Sequence, residues 1–201
     1  MFDFLSPENL IQTLGLLGVV LIVFAESGLF FGFFFPGDSL LFTAGVFASQ
    51  GYLSFAPLLI LSFLAAVSGD AVGYFFGKKV GQKFFDREES FFFRKSYIKK
   101  TEEFYAKHGR QTVVLARFMP VVRTFAPILA GMGGMAYSVF FKYNVIGALI
   151  WAVGLITLGF FFGRIIPDIE RYLLWFIIGI IFTSSVPALF GFLKDKGKTG
   201  S

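Results

Sequence analysis

Arg117 and Arg123 stand on either side of Pro120 in a short stretch, 117–127, that lies between apolar runs. A guanidinium stays charged and presents a fork of N–H donors that fits carboxylate or phosphate oxygens. At the centre of a bilayer an arginine costs roughly 2.5–3.5 kcal/mol on the insertion scale. A proline inside a helix costs about 3 kcal/mol more, because it removes a backbone hydrogen bond. A membrane segment that carries both needs protein or water around it. The chemistry this pair supports is phosphate binding, with the hydroxyls of Thr124 and Ser39 as further donors. The competing role is an internal salt bridge to Glu26 or Asp38. Both roles require two broken segments of the chain to meet.

Three acids lie in or beside apolar runs: Glu26, Asp38 and Asp70. Intramembrane carboxylates are candidates for taking up and releasing protons. Each also has a structural alternative. Glu26 could mark a helix end at the interface, and Asp38 could cap a helix starting near Ser39. Asp70 could make a hydrogen bond inside its helix.

The composition says what must hold these groups. The chain has 201 residues, of which 56% are hydrophobic and only 15% charged, against about 25% charged in soluble domains. This is the composition of an integral membrane protein, organised as one domain over 1–201. There are no cysteines and a single histidine, His108, so thiolate chemistry is excluded and a histidine metal cluster cannot come from one chain. His108 precedes a glycine and suits a surface or capping role. No Gly-x-Ser-x-Gly elbow, His-Glu-x-x-His motif or Walker loop occurs. The expectation is therefore a protein that is not an enzyme and carries no cofactor. Ten of the 18 Lys and Arg residues fall between Lys78 and Arg110. A basic block beside membrane spans faces the cytoplasm and its anionic lipids, so nucleic acid is not an expected partner.

The hydropathy pattern supplies the elements. Ser6-Pro7 reads as a helix start, and Asn9–Ala25 is uncharged. Residues 27–51 contain Gly28, Gly32, Pro36 and Gly37, then an apolar run too short to cross, so they read as a re-entrant hairpin. Phe55–Gly77 is long enough to span. Residues 80–110 read as a cytoplasmic amphipathic region. Residues 111–136, with the two arginines, form a second re-entrant segment. Tyr143–Gly163 and Tyr172–Leu193 are uncharged runs of 21 and 22 residues, each a spanning helix. The basic tail is placed in the cytoplasm.

Gly73-Tyr74-Phe75-Phe76-Gly77-Lys78 is matched by Gly159-Phe160-Phe161-Phe162-Gly163-Arg164. Each follows a broken segment with a proline at a similar distance upstream (36 to 77, and 120 to 163). The expected fold is all-α and polytopic, with two inverted repeats, 10–79 and 111–165. Each repeat is a re-entrant hairpin plus a transmembrane helix, and one extra transmembrane helix follows at 172–193. Broken helices meeting near the midplane are typical of secondary transporters.

Taken together, Glu26, Phe35-Pro36-Gly37-Asp38-Ser39-Leu40, Gly69-Asp70-x-x-Gly73-Tyr74-x-x-Gly77 and Arg117-Phe118-x-Pro120-x-x-Arg123-Thr124 resemble the DedA family of bacterial inner-membrane proteins. That family shares its VTT domain with eukaryotic lipid scramblases. The resemblance covers about residues 10–190. It implies two opposed re-entrant hairpins, a bacterial inner-membrane location and a flippase for a lipid phosphate, undecaprenyl phosphate above all, driven by protons. It matches the family's essential acids to Glu26 and Asp38 and its essential arginines to Arg117 and Arg123. Alternatives are a proton-coupled transporter of small cations or drugs, a phospholipid scramblase, and a non-transporting assembly factor. The expected partners are membrane lipids and protons, and a homo-oligomer is left open.

Overall fold

A computed structural model describes residues 7–29, 35–85, 112–176 and 178–179, and among these every regular element is helical. Helix α1 spans Pro7–Gly28. Proline at the first helical position has no needed N–H to lose and a φ already suited to the helix. The proposed cap, Ser6, lies outside the described residues. Gly15 takes φ 58 and ψ −151, which breaks the helix into two parts. Glu26 lies in its last turn, at a helix end as the sequence suggested, but its carboxylate is buried and paired with Arg123.

Helix α2 spans Gly37–Ser49, with Pro36 as its N-cap residue. Pro36 makes no side-chain cap bond, and the helix starts before Asp38, not near Ser39, so Asp38 is not its N-cap residue. Ser39 Oγ instead donates to the Pro36 carbonyl at 2.9 Å. Residues 37–48 are buried all round, as expected of a helix that is apolar on every face.

Helix α3 spans Phe55–Phe85. Helix α4, Thr112–Ala116, is a single turn, and α5 spans Pro120–Met132. Helix α6, Tyr137–Ala148, runs through a π-helical turn, Leu149–Val153, into α7, Gly154–Ile165. The second long helix therefore begins six residues before the expected Tyr143. A 3₁₀ turn, Ile169–Tyr172, follows. Among the described residues, two stretches, Phe55–Val80 and Tyr137–Ile165, are long and apolar enough to cross a membrane. Helices α2 and α5 have 13 residues each. That is roughly 20 Å of helix, short of the ~30 Å hydrocarbon core. The expected amphipathic region is described only as far as Phe85, as a continuation of α3, and its remainder lies outside the described residues. The expected last transmembrane helix is described only in its first turns.

The packing exchanges partners between the two parts of the chain. Helix α2 lies on α7 and α5 lies on α3, while α1 packs along α3. Glycines set both crossings in the same way. A side-chain carbon on Gly45 of α2 would overlap the Ile156 carbonyl and press on the Phe160 amide. One on Gly131 of α5 would overlap the Tyr74 carbonyl and press on the Lys78 amide. In return, a carbon on Gly159 would overlap the Phe42 carbonyl, and one on Gly77 the Ile128 carbonyl. Each short helix thus offers a carbonyl and, three residues on, a glycine. Each long helix offers a carbonyl and, three residues on, a glycine. The sequence match paired Gly73 with Gly159. By contact it is Gly77 that does the work of Gly159, one helical turn along. The largest apolar core lies between α1, α2, α3 and the π-helical region, with Leu40, Leu41, Leu58, Ala66, Ala148 and Ile156 buried.

Candidate functional site

Seven buried polar or indole side chains from six segments converge: Glu26, Asp38, Asp70, Arg117, Arg123, Asn144 and Trp151. Glu26 sits in the last turn of α1 and Asp38 at the start of α2. Arg123 sits in the first turn of α5, after a Met119 in extended conformation. Its Nη1 donates to Asp38 Oδ1 and its Nη2 to Glu26 Oε1. One guanidinium thus ties together the starts of the two short helices and the end of α1. Its Nε has no partner among the described residues.

Gly37 explains how Glu26 comes so close. A side-chain carbon at this position would overlap the Glu26 carboxylate. Only glycine leaves the carboxylate room against the α2 backbone.

Arg117 sits in the turn between α4 and α5. Its Nη2 donates to Asp70 Oδ2 and, at 2.7 Å, to Asn144 Oδ1. The Asn144 amide then donates to the Val67 carbonyl of α3 at 3.0 Å. The two arginines therefore hold separate carboxylates. Trp151 joins the two halves of the cluster. Its indole N–H donates to Asp38 Oδ1 at 2.7 Å. Its ring lies 4.9 Å from the Arg123 Cζ and 5.5 Å from the Arg117 Cζ, within cation–π range of both.

Of the residues singled out from sequence, Glu26, Asp38 and Arg123 meet directly, and Arg117 meets Asp70. Ser39 is engaged with its own helix. Thr124 is buried beside Arg123. Asn144 and Trp151 were missed. Both signals were present: an amide and an indole in an otherwise apolar run, seven residues apart, the spacing of one helix face. The π-helical turn adds a local extra residue around Trp151, a device common at functional sites.

Trp151→Phe keeps the ring over the guanidiniums and removes the N–H bond to a carboxylate, a bond type that contributes about 1.5–3 kcal/mol. Thermal unfolding in detergent micelles should show a loss of that order. Trp151→Leu should lose a further ~0.5–2 kcal/mol with the cation–π contacts. Wild-type stability in both variants would contradict the role given to the indole.

A long-helix scaffold that buries acids and arginines around two short apolar helices suits a membrane protein with an internal charged site. The VTT domain profile matches residues 35–161. The chain belongs to the DedA family of VTT-domain membrane proteins. It is 47% identical over 178 residues to Protein DedA of Escherichia coli K12, covering 88% of this chain and 81% of that protein. An uncharacterized membrane protein of Mycobacterium leprae is 37% identical over 92% of this chain and 82% of its own length. The Inner membrane protein YqjA of Escherichia coli K12 is 32% identical over 81% and 74%. No solved structure matches.

Proposed function

We propose that the protein moves a phosphate-bearing lipid across the bacterial inner membrane, with undecaprenyl phosphate as the species the family resemblance suggests, and that protons drive the movement. The observation that supports this is Arg123. It is a buried guanidinium held by two carboxylates from different broken segments, with one N–H still unpaired among the described residues. A phosphate can replace carboxylates at a guanidinium because both present paired oxygens. The N-termini of α2 and α5 carry Asp38 and Arg123, and helix N-termini favour anions. Arg117, Thr124 and Ser39 are the further phosphate-binding candidates.

The embedded acids outnumber the embedded arginines, three to two, among the cluster members named. Fully ionised, the cluster would be one negative charge in excess. A proton on Glu26, Asp38 or Asp70 balances it, and such a proton would loosen the grip on the arginines. We read α2 and α5 as re-entrant, entering from opposite faces as parts of inverted repeats. Their length and the twofold occurrence of the glycine crossing support this. The 78–110 region and the C-terminus are placed in the cytoplasm by their basic charge. The moving bodies in this reading are the α2–α7 pair against α1, α3 and α5. Asp38 then carries the ionic contact between the two bodies.

The acid excess also favours a second reading, in which a small cation occupies the cluster. Proteoliposomes carrying labelled undecaprenyl phosphate separate the two. Movement of the phosphate lipid well above that in protein-free vesicles, and none of undecaprenol, is expected. Equal movement with and without protein, together with cation flux, would replace the lipid reading by the second.

A further inference from the structure

We infer that a groove between the α4–α5 turn and α7 holds the part of the transported lipid's hydrocarbon chain nearest its head, with the phosphate end directed at Asp38. The inference rests on the lipid-phosphate reading above and adds the site of the tail. The groove is a cavity of about 260 Å³ lined by Asp38, Phe118, Ile150, Trp151, Gly154 and Leu158, among others. Its walls are apolar and its rim residues Ile150, Leu158 and Phe118 are exposed. In a membrane-crossing helix, that exposure faces hydrocarbon.

Its inner end is polar. The Asp38 side chain retains 11% exposure and the Glu26 side chain none. Asp38 is therefore the acid of this pair that the groove reaches. Behind Asp38 lies Arg123, and the Trp151 indole binds the same carboxylate oxygen. A chain with an anionic head entering from the bilayer would meet hydrocarbon contacts first and then the carboxylate that covers Arg123. Displacing Asp38 exposes the guanidinium to the head. This complementarity, apolar wall to tail and guanidinium to phosphate, selects a lipid phosphate as occupant over a neutral acyl chain.

Gly154 opens the groove. A side-chain carbon there would meet no described atom within 4 Å, and its backbone is ordinary right-handed helix, φ −60 and ψ −52. A larger residue can therefore be introduced without backbone strain.

Gly154→Trp should cut lipid-phosphate flux in proteoliposomes at least tenfold, while Leu64→Trp, at an exposed apolar position of α3 away from the groove, stays within twofold of wild type. Wild-type flux in a folded Gly154→Trp protein would overturn the inference and leave the lipid-phosphate reading intact. Absence of flux in wild-type protein would instead remove that reading. A second measurement needs no variant. An alkyl monophosphate with a diazirine near its head is photolysed in phosphatidylcholine vesicles containing the wild-type protein. Labels should concentrate on Ile150 and Leu158. Ile60 and Leu64 of α3, equally exposed apolar positions, should be labelled at least tenfold less. Even labelling of both helices would mean annular lipid only. No labelling at the groove would mean that the chain itself fills it. Either result overturns the inference.

Discussion

Arg123→Ala is expected to abolish lipid movement and to lower stability by about 3–5 kcal/mol, the usual cost of removing one partner from a buried ion pair. Glu26 is fully buried and Asp38 nearly so. Without the guanidinium, both carboxylates must shed their charge or attract water. A loss of transport alone would not separate a binding role from a structural one. Adding Glu26→Gln to Arg123→Ala does so. The amide removes the unpaired charge, so part of the stability should return, while transport should stay at background because no fork remains for phosphate. Arg123→Lys should fall between, since a compact ammonium lacks the planar fork that reaches the two carboxylates from separate nitrogens. Thermal unfolding in micelles and flux in proteoliposomes measure the two effects. Recovery of flux in the double variant would make Arg123 a structural residue and remove it from the proposed phosphate site.

The meeting of the two broken segments was legible because each carried a cost that only the other could offset. Pro120 and Arg123 on one side, and Pro36, Gly37 and Asp38 on the other, had no stable place alone in hydrocarbon. The partner of each charge was less legible. Asp70 was grouped with Glu26 and Asp38 from its type, yet it faces Arg117. That choice depends on the direction in which the Arg117 turn leaves α4, and sequence spacing carries no such direction. Trp151 was hidden for a different reason. Its ring reaches both arginines through a π-helical turn, and the apolar run around it reads as an ordinary span. The glycine pattern was visible, but the exchange of partners was not. A repeat shows which residues play similar parts without showing which copy each one touches.

That exchange leads to a result in which the same substitution changes sign with position. Replacing a helical glycine by alanine usually stabilises by about 0.5–1 kcal/mol, because alanine has less backbone freedom to lose. Gly154→Ala should follow this rule, since the added methyl meets no described atom and the backbone is already helical. Gly45→Ala and Gly131→Ala should do the reverse. Their methyls would overlap the Ile156 and Tyr74 carbonyls, which are backbone atoms of a packed helix and cannot rotate away as a side chain would. Overpacking of a close contact costs about 1–3 kcal/mol and occasionally more, and a rigid obstacle places these two near the top of that range. The propensity gain is then outweighed by roughly 2 kcal/mol. The two losses should also be similar, because the crossings of α2 on α7 and of α5 on α3 repeat the same contacts. Thermal unfolding of the three variants under one set of conditions tests both points. Stabilisation by Gly45→Ala would remove the close crossing. A large loss at Gly45 with none at Gly131 would keep the crossing of α2 on α7 but remove its counterpart, and with it the structural support for two equivalent units.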